Sequence, residues 1–400
     1  MILIELMTMY KGENMTKLLL TIPCNFGVEA IVNREIQNLG YEIAKTIDGR
    51  VDFYGDELAI ARSNIGLRTA ERILLKVGEF EAVTFDELFE KTKALPWGDF
   101  VPKDAEFPVA KANSVKSTLF STSDIQAIVK KAVVEKLKLK YKIEWFAETG
   151  VRYPIHVFVN KDIFSLYIDT SGNNLHKRGY RENSNIAPIK ETLAAAMLDL
   201  TPWHWDRILI DPMCGSGTIP IEAALKGLNI APGIKRNFGA EDWEFIGKDK
   251  WDTTREEFKS QEKWDRQFLV QGYDIDPHAL RTARENAQLA GVEKYIHFQQ
   301  RDIRDLQSSD KYGFIVTNPP YGERLEDKES VEILYKEMGV AMSRLATWSY
   351  SIITSHLDFE SIFGRKADKR RKLYNGMIKT TLYQYFGPKP PKRVQEEISK

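Results

Sequence analysis

The chain has 400 residues, 43% hydrophobic and 28% charged, which is the make-up of a soluble globular protein of on the order of two or three domains. Lysine plus arginine and aspartate plus glutamate are equal at 57 each, so net charge singles out no partner and any nucleic-acid footprint must be a local patch. Two cysteines, Cys24 and Cys214, and six histidines without ligand spacing argue against a disulfide framework or a metal centre and for a reducing cytoplasm; no run of ~18 uncharged apolar residues offers a membrane span.

The first residues are apolar but carry Glu5, and they lack the basic start and cleavage site of a signal peptide. Met15-Thr16-Lys17 directly precedes the first clear strand, so Met15 is the expected start and residues 1–14 an unstructured extension. Residues 17–23 read as a strand and 28–39 as an amphipathic helix ended by Gly40. A strand at 51–54 follows the Asp48-Gly49 turn, then a helix at 58–64 and a strand at 70–77. This β-α-β-β-α-β rhythm predicts a ferredoxin-like unit over 15–78.

The texture then changes, and 79–170 reads as a second α+β domain. It holds a helix at 85–95, a strand from Phe107 and a helix at 124–138 whose apolar positions 125, 128, 129, 132 and 133 share one face. Alternating strands at 155–159 and 164–169 are joined by Asn160-Lys161-Asp162, a hairpin signal. Between 111 and 143 eight lysines stand against Asp124 and Glu135. They form either a solvated helix face or a phosphate-binding patch, since affinity for RNA comes largely from clustered positive charge. Lys111, Lys116, Lys130 and Lys131 are the candidates.

The polar stretch 172–188 is a linker or an ordered loop near a site, and the helix at 189–200 follows it, so 171–200 is set apart as linker and leading helix. From Arg207 strands alternate with helices: strands near 207–211, 268–274, 295–299, 312–317, 349–355, 371–378 and 380–386, and helices near 219–227, 277–290, 328–345 and 357–363. Alternation of this kind implies a mostly parallel sheet covered on both faces, here over 201–388, with 389–400 as a tail. The last two strands are too close for a helical crossover and should form an antiparallel hairpin. Residues 230–266, rich in charge and tryptophan, read as an insertion of unassigned role.

Chemistry gathers at the strand ends. The first ends in Asp211, followed by Pro212-Met213-Cys214-Gly215-Ser216-Gly217-Thr218 and a helix. The glycines let backbone approach a ligand and turn into the helix. Pro220 replaces the third glycine of a dinucleotide fingerprint, and no Gly-Lys-Ser/Thr follows, so neither that site nor a P-loop fits. The second strand ends Tyr273-Asp274-Ile275-Asp276-Pro277. Asp274 is placed to accept from ribose hydroxyls, whereas Asp276 before a proline reads as a helix cap. The third leads to Asp302-Ile303, whose carboxylate suits an adenine amine. The fourth ends in Asn318-Pro319-Pro320-Tyr321. Two prolines lack N–H groups, so pairing stops there and the chain turns out at the strand's C-terminal end. An amide, rigid carbonyls and a ring at that edge form a slot for a flat base carrying an exocyclic amine. Any one aspartate could simply cap a helix, but four successive functional tips exceed what capping explains.

Together, 211–218, 273–277, 302–305 and 318–324 resemble the ordered motifs of Rossmann-like methyltransferases that use S-adenosylmethionine. Asp169-Thr-Ser-Gly172, Leu175-His-Lys-Arg-Gly-Tyr-Arg181, Ala187-Pro-Ile-Lys-Glu-Thr-Leu-Ala194 and Lys369-Arg-Arg-Lys-Leu-Tyr-Asn-Gly376 narrow this. They resemble THUMP-domain RNA methyltransferases, nearest the large-subunit ribosomal RNA guanine-N2 enzymes of the RlmL type and the shorter YpsC-like proteins. The chain ends before a second methyltransferase half, which the RlmL type carries.

The resemblance implies a ferredoxin-like and a THUMP domain followed by the methyltransferase domain. It implies that Asp211, Cys214, Gly215, Gly217 and Thr218 frame the methionine end of the cofactor, Asp274 and Ile275 the ribose side, and Asp302 and Ile303 the adenine, with Asn318 shared between cofactor and substrate. Cys214 reads first as a small packing residue. Asn318, Pro319, Pro320 and Tyr321 would act on the substrate; Arg178, Arg181, Lys369, Arg370 and Arg371 would join the lysines in holding RNA. The expected product is N2-methylguanosine in 23S rRNA, with tRNA the nearest rival. N6-adenine methylation and a non-catalytic RNA-binding role are further alternatives.

Overall fold

The computed structural model describes residues 17–181, 189–322 and 325–391, with 325–327 as backbone only. The expected extension 1–14, the Met15 start, Glu182 to Pro188, Glu323 and Arg324, and 392–400 of the tail lie outside the described residues. The chain forms two compact units: one contains the stretch up to Cys24, Val32–His176 and Ala231–Ser260, the other Asn25–Ile31, Lys177–Ile230 and the chain from Gln261.

The first unit is built on β1 (Leu18–Pro23), α1 (Glu29–Asn38), β2 (Glu42–Ile47), β3 (Arg50–Gly55), α2 (Glu57–Gly66) and β4 (Leu74–Glu81), then α3 (Phe85–Ala94), β5 (Val109–Val115), α4 (Thr122–Tyr141), β6 (Ile155–Asn160) and β7 (Ile163–Asp169). All seven strands share one sheet in the order β2-β3-β1-β4-β7-β6-β5. The antiparallel pairing of β4 with β7, from Leu74↔Asp169 to Glu81↔Ile163, joins the strands of the two predicted N-terminal segments. Caps start the helices: the Asp56 carboxylate accepts from Ala59 N at 2.8 Å, and the Thr84 hydroxyl from Glu87 N at 3.2 Å.

Two local expectations shift. The strand expected at 70–77 runs over Leu74–Glu81, because Ala70 makes only an isolated bridge to Cys24 and the Thr69 hydroxyl donates to Glu35 at 2.5 Å. Strand β2 is almost wholly exposed and has no apolar alternation, so it was implied by the rhythm alone.

The second unit contains α5 (Glu191–Leu200), β8 (Leu209–Asp211) and α6 (Thr218–Gly227). The chain next contributes α7 (Lys248–Ser260) to the first unit. It resumes with β9 (Val270–Asp274), α8 (Pro277–Ala290), β10 (Ile296–Gln300), β11 (Phe314–Thr317), α9 (Leu325–Ser343), β12 (Ser349–Thr354), α10 (Phe359–Phe363), β13 (Lys369–Asn375) and β14 (Ile378–Tyr385). The sheet order is β10-β9-β8-β11-β12-β14-β13, parallel except for β14, which runs antiparallel to both neighbours. The closing hairpin turns at Gly376-Met377, with Asn375 paired to Ile378 and Gly376 at φ +63°, two to three residues earlier than the strands near 371–378 and 380–386 suggested. Ile210, Ile315, Tyr335, Trp348, Ile352 and Tyr385 belong to its core. No described helix is long and apolar enough to cross a membrane.

Most of the stretch without an assigned role, Ala231–Ser260, belongs to the first unit and adds to its core. Trp243 and Trp251 are fully buried. Trp243 stacks on Tyr153 at 4.4 Å between centroids and its indole N–H donates to Arg152 O at 3.0 Å. Gly233 N donates to Ile65 O at 2.9 Å, and Arg62 pairs with Glu257 at 2.8 Å. Within α7, Trp251 and Thr254 are buried while most of its charged residues stay at least partly exposed.

Candidate functional site

In the second unit the chain lays down β8, then β9 and β10 to one side, then β11 and β12 to the other. The order reverses between β8 and β11, and ligands of open α/β sheets bind outside the C-terminal strand ends at such a switch. Asp211 ends β8, Asp274 ends β9, Asp302 follows β10 and Asn318 follows β11. All four predicted tips thus lie along one edge, with Asp211 and Asn318 on the two strands that flank the switch.

The loop after β8 is held by backbone and carboxylate. Gly215 and Gly217 have φ +51° and +83°, the left-handed region. Gly215 N donates to Asp274 Oδ2 at 2.8 Å, and Asp276 N to Asp274 Oδ1 at 2.9 Å. Asp276 itself caps α8, accepting from His278 N at 2.8 Å with Pro277 at the first helical position. Cys214 N donates to Tyr273 O, and the buried Asn286 donates to Ser216 O at 3.0 Å, a loop anchor that the sequence reading missed. Thr218 is buried at the start of α6, whose N-terminus has no side-chain cap. The first-turn N–H groups of such a helix suit an anionic ligand group. A Cβ on Gly215 would meet nothing within 4 Å, so there is room in front of the loop.

Asp211 is 1% exposed and accepts from Met213 N at 3.2 Å. Burial pushes its carboxyl up to about 7, and a cation brought beside it would favour its ionised form. Cys214 is 7% exposed, and burial raises its thiol well above its ordinary range, which disfavours the thiolate. Ile275 is 64% exposed, an apolar surface beside the Asp274 carboxylate. The Ile303 side chain is instead packed in the core, so any part it takes in binding falls to its backbone. Asp302 accepts three hydrogen bonds from Arg304, at 2.9, 2.9 and 2.6 Å, which hold it below the usual carboxylate range. Of the roughly four lone-pair positions of a carboxylate, one remains for a ligand donor.

At β11 the double proline stops the ladder as expected. Tyr335 of α9 donates its hydroxyl to Pro320 O at 2.6 Å and lies 2.8 Å from the Thr354 hydroxyl. Burial raises the Tyr335 phenol to about 12, so it stays a donor. The Tyr321 hydroxyl donates to Asn318 Oδ1 at 2.5 Å, and Asn375 Nδ2 donates to Tyr321 Oη at 3.3 Å. Neither Tyr335 nor Asn375 was singled out from sequence for this site. Nothing local to either residue signals a contact with a motif 15 or 54 positions away.

The predicted RNA ligands divide. Arg178 is a correction: its side chain is 3% exposed and paired with the fully buried Glu222, which also accepts from the Tyr180 hydroxyl at 3.1 Å, so it cannot reach a phosphate. Arg181 is a second correction, bound to Glu191 at 3.2 Å and within 3.4 Å of the Thr218 hydroxyl and Ile189 O, where it ties α5 to the start of α6. Lys130 donates to Phe107 O and pairs with Glu148 at 2.6 Å, so it braces the first unit. Lys111, Lys116 and Lys131 are exposed. Lys369 and Arg370 are exposed on edge strand β13, with Arg370 paired to Glu360 and Arg371 near Gln384 at 3.3 Å. Charges there also keep a sheet edge from pairing with other chains.

Residues 178–384 match the RMKL-like methyltransferase domain, 19–74 the RlmL ferredoxin-like domain and 82–169 the THUMP domain. The helix α5, set apart above as part of a linker, falls inside the methyltransferase match. YpsC of Bacillus subtilis (strain 168), named as a supposed RNA methyltransferase, is 50% identical over 96% of this chain and all of its own. The ribosomal RNA large subunit methyltransferase K/L of Syntrophotalea carbinolica is 34% identical over 90% of the chain, which spans about half (52%) of that protein. A solved structure of a methyltransferase candidate in complex with S-adenosylhomocysteine is 43% identical, covers 94% of this chain and 99% of its own, and superposes with a TM-score of 0.89. A sheet of this order takes ligands outside its C-terminal strand ends at the switch point, and the chain belongs to the RMKL-like methyltransferase family, whose members depend on S-adenosylmethionine.

Proposed function

We propose that the protein methylates the exocyclic N2 of a guanosine in 23S ribosomal RNA. The observation that carries this reading is an amide oxygen and a rigid prolyl backbone presented at the switch-point edge beside the glycine loop. The THUMP match and the ribosomal RNA relative support an RNA substrate. The work belongs in the cytoplasm, where Cys24 and Cys214 stay reduced.

S-adenosylmethionine supplies an electrophilic methyl group. The room in front of Gly215 and the uncapped start of α6 fit its methionine end, Asp274 fits ribose hydroxyls, and Ile275 with the remaining lone pair of Asp302 fits adenine. An exocyclic amine is a poor nucleophile because its lone pair is delocalised into the ring. Accepting its N–H bonds at Asn318 Oδ1 and the Pro319 carbonyl localises that pair on nitrogen. The gain is orientation and charge stabilisation. Tyr321 stacks on the base, and a paired target must be flipped out to reach it. Lys111, Lys116, Lys131, Lys369 and Arg371 hold phosphates.

The deciding experiment is nucleoside mass spectrometry on rRNA and tRNA, separated, from a deletion strain. Loss of N2-methylguanosine from 23S rRNA alone is the expected result. Loss from tRNA would move the substrate, loss of N6-methyladenosine would move the base, and an unchanged profile with paralogues deleted would favour a non-catalytic role.

The two glycines make separable predictions. Gly217→Ala strains φ +83° and drives a methyl to 3.0 Å from Ala283 Cβ and 3.1 Å from the Phe298 ring. It should cost about 2–3 kcal/mol of stability. Gly215→Ala should cost only about 1 kcal/mol. Its methyl would stand in the open space before the loop, weakening S-adenosylmethionine binding roughly tenfold if the clash is ~1.4 kcal/mol. Unfolding midpoints and calorimetric titration separate the two.

A further inference from the structure

The hydrogen bonds around Asn318 have a direction. Asn375 Nδ2 donates to Tyr321 Oη, and Tyr321 Oη donates to Asn318 Oδ1. A phenol has one proton and two lone pairs. Asn375 donates into one of those lone pairs, and the single proton is directed to Asn318 Oδ1 at 2.5 Å. The proton in turn decides which end of the Asn318 amide faces the ring, the oxygen and not the NH2. An amide oxygen has a second lone pair, and that is the acceptor a target amine needs. With the amide turned over, the same position would present N–H groups and repel an incoming amine.

The hairpin does not need this side chain. Its turn depends on Gly376 at φ +63°, and Asn375 pairs with Ile378 through backbone groups. The buried support of the motif lies elsewhere, in the Tyr335 hydroxyl on Pro320 O. Asn375 is therefore a polar group reaching from the last residue of β13 to the turn after β11.

We propose that Asn375 is a positioning residue for methyl transfer: it orients the Tyr321 hydroxyl, and through it the Asn318 amide oxygen, toward the target amine. This rests on the methyl-transfer reading of the site. It predicts a specific pattern of coupling. Asn375→Ala should lower kcat about tenfold, the worth of one well-placed hydrogen bond. KM for RNA and for S-adenosylmethionine should move less than about twofold. In a Tyr321→Phe background the relay is already cut, and adding Asn375→Ala should cost less than about twofold more. Asn375→Asp replaces the donor by an acceptor that draws the phenol proton away from Asn318, so it should fall below Asn375→Ala.

The measurement uses the full chain, labelled S-adenosylmethionine and RNA from the deletion strain. Equal losses from Asn375→Ala in both backgrounds, or a loss that follows the unfolding midpoint, would overturn the proposal. A second readout does not depend on turnover. In protein labelled with 15N-asparagine, the Asn318 side-chain signal, assigned by its disappearance in Asn318→Ala, should move on Asn375→Ala when Tyr321 is present and stay put in the Tyr321→Phe background. A signal that never moves sinks the relay. A moving signal in an enzyme that methylates no RNA supports the relay and puts the fault in the methyl-transfer reading.

Discussion

Replacing Asn318 by alanine is expected to lower kcat by about 10²–10³-fold, the range seen when one preorganised polar group is removed from a transition state. The dissociation constant for S-adenosylmethionine should stay within about twofold of wild type, because the glycine loop is held by Asp274 and Asn286 and not by Asn318. The fold should be intact, since Asn318 is only partly buried and the turn after it is held by Tyr335 on Pro320 O. Asn318→Asp keeps an acceptor for both Tyr321 and the amine and should retain part of the activity. Single-turnover rates and calorimetric titration on the same preparations give both quantities. If cofactor affinity and rate collapsed together, Asn318 would belong to the methyl donor's site and the division of roles along this edge would be wrong.

Arg178→Ala is expected to destabilise the methyltransferase unit by about 3–5 kcal/mol, because it strands a buried carboxylate. Glu222 is 1% exposed, and the partners it would keep include one neutral hydroxyl, that of Tyr180. Replacing both members of the pair by methionine should recover much of the loss, since a buried ion pair contributes little over well-packed apolar groups. Lys116→Ala makes the contrast. That side chain is exposed, so its loss should leave the urea midpoint unchanged and lower the slope of RNA affinity against salt by about 0.7–0.9. The opposite pattern, with Arg178→Ala folding like wild type and binding RNA less tightly, would show that the guanidinium faces a phosphate after all.

That contrast shows what kind of information was missing. Arg178 and Arg181 look in sequence like any basic loop. Their charge is visible, but their partners Glu222 and Glu191 are not, and only the partner decides whether an arginine braces a core or meets a ligand. Lys130 differs from Lys131 in the same way, one paired with Glu148 and the other exposed beside the Phe89 ring. Ile275 and Ile303 follow adjacent aspartates in similar motifs, yet one is exposed and one sits in the core.

Local chemistry determined a good deal by itself. Period-two and helical patterns placed most strands of both sheets, β2 excepted, and most of their helices, because those signals depend on a few neighbouring residues. The double proline after β11, the paired glycines after β8 and Asp276 ahead of Pro277 each dictate a backbone turn without help from the rest of the chain, and the fold sets Asp211, Asp274, Asp302 and Asn318 on one edge. The tertiary structure alone decided where residues 231–260 belong, since the Trp243 indole finds its acceptor 91 positions away at Arg152. It alone turned an asparagine in a hairpin toward Tyr321. Contacts of that separation are fixed by how whole elements pack, and no local pattern of residue types encodes them.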